Sequence, residues 1–536
     1  MASHRNGNGP VNNLVNSLLT DWYQLTMAFG YWKGGKSEMP AVFDLHFRRC
    51  PFNGEFAVFA GLVEVLGFLS QYCFDEEKIE FIRSRMPGRD PGFFEWLRRI
   101  DCSQVKVHAF REGTLAFPRV PLLTVEGPLG VCQLLETTLL TLVNYPTLMA
   151  TNAARFRIAA GPGKRLLEFG LRRAQGPDGG VSASKYAYVG GFDGTSNVLA
   201  GHLYDIPVSG THGHSWVQAF LGLDEVRGVA LEGPSGRTAD FAALVLECRN
   251  ELGYNHTNED ELAAFIGYAW AWPDAFLALV DTYDTLKSGI PNFLAVALAL
   301  QRLGYRPRGI RLDSGDLAFL SKAVRRQFRA ISERFGVDFN GLTIVASNDI
   351  NEETLLALNQ QGHEVDTFGI GTHLVTCQAQ PALGGVYKLV QVNGHPRIKL
   401  SQDIGKVTIP GRKESYRLIG ADKSPLLDLM IQEGEEPPRH GERILCRHPF
   451  DETKRAYVTP SDVQPLQSLV WNGAVEPGSV RPLAEVRQYV LEQLAVLRPD
   501  HLRVLNPTPY KVSVSEALYQ FSHRLWLEEA PVAEIK

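Results

Sequence analysis

A chain of 536 residues with 44% hydrophobic and 21% charged side chains is globular in composition and too long for one ordinary core, so two or three domains are expected. A formal net charge of −5 gives no global attraction to nucleic acid or to an anionic membrane surface. Seven scattered cysteines without a Cys-x-x-Cys pair exclude a disulfide framework and suit a reducing, cytoplasmic compartment. Residues 1–16, rich in Asn and Gly, read as a disordered tail rather than a signal peptide. No apolar run reaches about 18 residues, so no membrane span is expected.

In chain order, Leu18–Trp32 has helical spacing with Thr20 or Asp21 as N-cap. Gly30-Tyr-Trp-Lys-Gly-Gly35-Lys36-Ser37 then matches a phosphate-loop pattern letter for letter. Such a loop must leave a strand and enter a helix, whereas this one leaves a helix, so it reads as a helix-ending turn. Val42–Arg48 alternates as a strand, and His46, Arg48 and Arg49 read as a solvated strand edge. Helices are expected at Val58–Tyr72, Glu77–Met86, Pro91–Ile100 and Val131–Asn144, with strands within Val105–Val125. Residues 17–147 thus form an N-terminal α+β domain.

The rhythm then changes. Apolar strand-like runs at Leu166–Phe169, Ile206–Ser209, Phe276–Thr282, Gly309–Asp313, Leu342–Ala346 and Val365–Ile370 alternate with helices at Pro291–Leu303, Leu317–Phe335 and Glu352–Gln361. Repeated β-α units predict a parallel sheet over 148–400, either an α/β barrel or a doubly wound sheet, with an insertion near 221–262. From 401 to 536 the alternation stops, leaving a C-terminal region of short strands followed by helices at Pro482–Leu497 and Ser513–Leu527.

The strand ends carry the chemistry. One ends in Asp281-Thr282, others in Asp313-Ser314-Gly315-Asp316, Ser347-Asn348-Asp349 and Gly369-Ile-Gly371-Thr372. In both parallel architectures the C-terminal strand ends form the active face. Arg311 and Asp313 share a strand face and read either as an ion pair or as two grips on a ligand. Gly369, Gly371 and Thr372 make a turn whose N–H groups and hydroxyl can hold a phosphate. Gly190-Gly191 and Gly384-Gly385 offer similar loops. Phe169, Arg172 and Arg173 follow a strand ahead of the loop Gln175–Gly180, and paired arginines fit phosphate recognition or a surface salt bridge. Thr211, His212 and His214 follow Ile206–Ser209; their spacing lacks the partners of a zinc site, and a histidine there reads either as a nucleophile or base or, on these residues alone, as a satisfied structural histidine.

Five motifs, in order along residues 18–536, resemble nicotinate phosphoribosyltransferases: Leu19-Thr20-Asp21-Trp-Tyr23-Gln24, Gly176–Gly180, Gly210-Thr211-x-x-His214-Ser215, Arg311-Leu-Asp313-Ser-Gly-Asp316 and Gly369-Ile-Gly-Thr372. The resemblance is closest to the long eukaryotic enzymes. It implies a type II phosphoribosyltransferase: an irregular α/β barrel with a flanking α+β domain, joining nicotinate to 5-phosphoribosyl 1-diphosphate. Mg²⁺ (or Mn²⁺) is the implied cofactor and ATP the co-substrate, and the product is nicotinate mononucleotide, the first step of NAD synthesis from nicotinate. His214 matches the family's transiently phosphorylated histidine, Thr211 and Arg311 its nicotinate contacts, and Thr372 a contact to the phosphoribosyl diphosphate. Tyr23 matches an aromatic side chain reaching in from the neighbouring subunit, which implies a homodimer. Phe169 and Arg172 resemble ring-stacking and phosphate residues of the related nicotinamide enzymes. Asp313 is assigned to ribose or phosphoribosyl binding.

Three alternatives stand beside this reading. The nicotinamide enzymes carry an Asp in the Gly-Thr-x segment where this chain has His212. Quinolinate phosphoribosyltransferases are much shorter chains. A non-catalytic phosphate-binding barrel would be expected to have lost the histidine or the acidic strand ends, and both are present.

Overall fold

The computed structural model describes residues 14–532; residues 1–13 of the expected tail lie outside them. The chain divides into two compact units, one of 155–184 and 192–376, the other of the remaining segments.

The first unit is built on six parallel strands: β1 (Arg165–Glu168), β2 (Gly194–Thr195), β3 (Leu277–Leu279), β4 (Gly309–Leu312), β5 (Thr343–Ala346) and β6 (Thr367–Ile370). Their spatial order is β3-β4-β5-β6-β1-β2. In register, Leu279 lies beside Arg311, Arg311 beside Val345, and Val345 beside Thr367. Gly309 opens β4 at φ +151°, where a Cβ would stand 1.9 Å from the Thr343 carbonyl oxygen, so only glycine lets β4 and β5 approach there.

Between β2 and β3 the expected strand Ile206–Ser209 is reduced to a single bridge, Thr195 to Val208. The chain beyond it reaches β3 through side chains. Thr211 Oγ1 donates to the Leu277 carbonyl at 2.8 Å, and His212 Nε2 accepts the Leu279 N–H at 3.2 Å. Side-chain hydrogen bonds stand in for a backbone ladder, which makes the barrel irregular at the segment carrying His214.

Helices begin where polar side chains cap free N–H groups. Asp316 accepts from Phe319 N (2.9 Å) to start Leu317–Phe335, and Asn351 from Thr354 N (2.7 Å) to start Glu352–Gln361. The uncertain stretch 221–262 supplies a hairpin of Ala230–Glu232 and Thr238–Asp240, then helices Phe241–Leu252 and Glu259–Ala271, both packed on Ile290–Arg302. The loop expected at Gln175–Gly180 is the first turn of helix Gly176–Val189, because proline costs nothing where no N–H partner is due.

The other unit holds two six-stranded sheets. One is antiparallel, with His395–Pro396, Gly385–Val392, Pro40–Phe47, Leu123–Pro128, Lys106–Phe110 and Gln467–Asn472 in that order. One strand from 401–536, Gln467–Asn472, and two from 385–396, inside the stretch expected to belong to the barrel, therefore complete a sheet begun by the N-terminal segment. Lys413 reinforces this join through a buried pair with Asp44 at 2.6 Å. Pro40–Phe47 is an interior strand, which corrects the reading of His46 on a solvated edge. Burial and the nearby cations Lys413, Arg48, Arg119 and Lys388 push the His46 pKa down to about 3. The phosphate-loop look-alike is the end of helix Trp22–Lys33, with Gly34 N on the Gly30 carbonyl. Gly190 packs on Ala150 and Gly385 on Asn144, so these two pairs serve backbone packing. No helix among the described residues is long and apolar enough to cross a membrane.

Beneath the end of β3, Glu261 is fully buried and accepts from Ser288 Oγ (2.6 Å) and Asn292 Nδ2 (3.0 Å). Its Oε1 and the Asn292 Oδ1 are buried without hydrogen-bond partners. Burial pushes its pKa up to about 7, against those two hydrogen bonds and aided by Asp281 and Asp284. A folded-state pKa above the unfolded value means stability present at low pH and lost as pH rises from about 4.5 through 7. Glu261→Gln, which stays neutral, should gain stability relative to the parent over that interval, on the order of 1–3 kcal/mol at pH 8. Denaturant melts at pH 5 and pH 8 check this; a pH-independent difference refutes it.

Candidate functional site

The carboxyl ends of β1, β4, β5 and β6 surround an open cleft of about 540 Å³. Of the residues singled out in the sequence, Phe169, Arg172, Arg311, Asp313, Gly369, Gly371 and Thr372 line it together. Arg173, Ser347, Asp349, Ile350 and His373 complete the lining.

Arg311 decides the character of this cleft. Its Nε is enclosed and has no hydrogen-bond partner, and its guanidinium forms no ion pair among the described residues. The pairing with Asp313 that the shared strand face suggests is not made. Asp313 instead accepts from Ser347 Oγ at 2.6 Å and turns its other oxygen toward His214 Nε2 at 3.7 Å. Burial lowers the pKa of Arg311, opposed by Asp313 and Asp281 and reinforced by Arg172. A guanidinium stays protonated in proteins, so what remains is an enclosed cation with donors to spare. Arg172 and Arg173 are exposed and likewise free of ion pairs among the described residues, so the surface salt-bridge reading of that pair fails. Three cations thus face one cleft, where an anionic ligand would be held.

Phe169 and Gly369 are one device. The Phe169 N–H donates to the Ile370 carbonyl at 2.8 Å, and its ring lies so close over Gly369 that a Cβ there would meet the ring at 2.3 Å. The absent side chain lets an aromatic face lie flat against the strand end. Behind it, the fully buried Glu168 accepts from Gly170 N, Ser184 Oγ (2.7 Å) and Thr195 Oγ1 (2.5 Å), tying the ends of β1 and β2.

His214 opens the short helix His214–Gln218, its Nδ1 3.1 Å from Thr282 Oγ1. Thr211 spends its hydroxyl proton on the Leu277 carbonyl, so toward a ligand its Oγ1 can only accept. His212 turns away from zinc chemistry: its ring packs edge-on to Tyr268 at 4.7 Å, and burial pulls its pKa down to about 4. It is a neutral acceptor for β3. Among the described residues no group of three His, Cys, Asp or Glu could hold a metal ion by itself. Tyr23 belongs to the other unit, half exposed on helix Trp22–Lys33.

These motifs lie in matched regions of known proteins. Models for the nicotinate phosphoribosyltransferase N-terminal domain, family and C-terminal domain match residues 18–144, 296–429 and 412–522. Nicotinate phosphoribosyltransferase 1 of Arabidopsis thaliana is 56% identical over 98% of this chain and 97% of its own length. The chain belongs to the nicotinate phosphoribosyltransferase family. A Dictyostelium discoideum nicotinate phosphoribosyltransferase is 52% identical over 98% of this chain and 91% of its own. The crystal structure of human nicotinic acid phosphoribosyltransferase superposes with a TM-score of 0.83 at 46% identity, covering 94% of this chain and 99% of that one.

Within this nicotinate phosphoribosyltransferase fold, sequence reasoning missed Ser347, Thr282, Asp349 and His373 as individual site residues. The signal was present for three of them, since residues 282, 347 and 349 sit at the strand ends already singled out as a set. Asp349 takes φ +42°, a conformation that suits an Asp at a turn. Gly369→Ala should push the Phe169 ring out of place and raise the KM for the aromatic substrate about tenfold with little change in melting temperature. An unchanged KM would separate Phe169 from the pyridine.

Proposed function

We propose that this chain joins nicotinate to 5-phosphoribosyl 1-diphosphate, giving nicotinate mononucleotide and diphosphate, and couples the transfer to ATP hydrolysis. The observation carrying the substrate choice is Arg311, a half-buried guanidinium whose enclosed Nε has no hydrogen bond and which forms no ion pair among the described residues. A pyridine carboxylate pairs with its planar fork, while a neutral amide leaves the charge uncompensated. His212, at the position where the related nicotinamide enzymes hold an Asp for the amide, is committed to Leu279 N and offers no such acceptor. The strand-end acids and His214, which a degenerate barrel would have shed, are all in place.

In the transfer, the C1–O bond to diphosphate breaks with its electron pair leaving on oxygen, and the pyridine nitrogen forms the new C1–N bond. The intervening centre is oxocarbenium-like and calls for fixed charge more than for covalent help. Phe169 orients the ring, Arg311 grips its carboxylate, and Arg172, Thr372 and the Gly369–Gly371 turn supply donors for phosphate oxygens. Asp313 stands beside the ribose. Asp281, whose enclosed Oδ1 has no hydrogen-bond partner among the described residues, would hold Mg²⁺, which would supply positive charge to neutralise the diphosphate. ATP coupling runs through His214: a ring nitrogen attacks the γ-phosphorus, an N–P bond forms, and the P–O bond to ADP breaks. The phosphorylated ring brings negative charge to the edge of the cleft and so can bias binding and release before water removes the phosphoryl group. The exposed Tyr23 suits a site completed by a second copy, in a homodimer of the cytoplasm.

Steady-state assays with nicotinate, nicotinamide and quinolinate, each with and without ATP, test this reading. Nicotinate should be used with at least about 100-fold higher kcat/KM than nicotinamide. Equal use of both would refute the Arg311 argument, and no product from any would favour a non-catalytic barrel. Arg311→Lys keeps the charge but loses the fork, and should raise the KM for nicotinate by about tenfold or more. An unaltered KM would remove Arg311 from the pyridine site.

A further inference from the structure

Four side chains form a line across the carboxyl ends of β5, β4 and β3 and the turn between β2 and β3. Ser347 Oγ donates to Asp313 Oδ1 at 2.6 Å, Asp313 Oδ2 faces His214 Nε2 at 3.7 Å, and His214 Nδ1 lies 3.1 Å from Thr282 Oγ1. The two inner members belong to the reading above. The outer two have no assigned part.

We infer that Thr282 is a positioning residue for His214, holding the imidazole by Nδ1 so that Nε2 is turned toward Asp313; this rests on the phosphohistidine reading. Among the described residues His214 is the only hydrogen-bond partner of the Thr282 hydroxyl, so the group has no purely structural bond to make. An imidazole whose two nitrogens meet different neighbours is held in one ring orientation. The chemistry of the neighbours is asymmetric in a useful way. A carboxylate can only accept, whereas a hydroxyl donates or accepts. Thr282 can therefore donate to a bare Nδ1 or accept from a protonated one, and keeps its grip through the changes of protonation that a phosphorylated histidine undergoes. A carboxylate or an ammonium at 282 would favour one state. Ser347 does the same from the far side by occupying Oδ1 of Asp313, which leaves Oδ2 for the ring.

The position itself is suited to the task. Thr282 lies just beyond β3, where Thr211 and His212 fasten the His214 segment through Leu277 and Leu279. Valine has nearly the shape of threonine, so Thr282→Val deletes the hydroxyl with little change of packing, and Thr282→Ser restores the hydroxyl without the methyl.

The experiment uses the full chain and γ-³²P-labelled ATP, and measures the rate of acid-labile, base-stable phosphoenzyme formation together with ATP-stimulated kcat. His214→Ala is the blank and melting temperatures are the folding control. Thr282→Val should form phosphoenzyme about tenfold more slowly and lose ATP stimulation, its KM for nicotinate moving less than about twofold, while Thr282→Ser stays within about twofold of the parent rate. A Thr282→Val enzyme phosphorylated at the parent rate overturns the assignment while leaving the phosphohistidine intact. A Thr282→Ser enzyme as slow as the valine variant also overturns it, since shape rather than hydroxyl would then matter. A parent protein that forms no phosphoenzyme overturns the phosphohistidine reading and this role with it.

Discussion

A half-buried cation that forms no ion pair among the described residues is the constraint around which the barrel unit is arranged. Removing a guanidinium from water is costly unless something answers its charge, and the nearest carboxylate is withheld from Arg311 by prior commitments to Ser347 and His214. The deficit is left open for a ligand to fill. It can be tolerated because β4 is fixed on both sides in a parallel sheet, and the close β4–β5 approach at Gly309 fixes where the arginine leaves the strand. Preorganised charge of this kind costs no reorganisation when the ligand arrives.

The rest of the cleft extends the same economy of means. A missing side chain at Gly369 makes room for the Phe169 ring, and one buried carboxylate, Glu168, holds the turn that carries it. The aromatic face stands at the end of β1, the cation and the Asp313 carboxylate at the end of β4, with β5 and β6 between them in one sheet. His214 comes from the one place where the sheet is irregular. Its segment is fastened by side chains instead of a ladder, which leaves the backbone free to turn the imidazole inward.

Much of this was legible in the residues. Leu317–Phe335 and Glu352–Gln361 begin and end where caps and periodicity place them, because both are amphipathic helices with a polar cap and a polar exterior. The strand ends named the face of the sheet on which the cleft opens. What the sequence hid was decided at long range. Arg311 and Asp313 share a strand face, yet side chains from β5 and the His214 turn draw the carboxylate away, and strand alternation cannot report such partners. His46 looked solvent-edged because its own strand says nothing of Gly385–Val392 and Leu123–Pro128 on either side. The paired glycines at 190 and 384 looked like phosphate loops for a related reason: close packing and ligand approach ask for the same absent Cβ.

The interleaved strands also set a timetable for synthesis. Every strand of the parallel sheet has been made by residue 370, so this sheet can close while the ribosome is still at work. The antiparallel sheet cannot: Lys106–Phe110 must wait for Gln467–Asn472, and buried Asp44 for Lys413. At roughly 5–20 residues per second that strand edge stands open for about 20–70 s. Lys106–Phe110 is thus made early and completed late, and for that interval its unpaired edge is open to pairing with other chains.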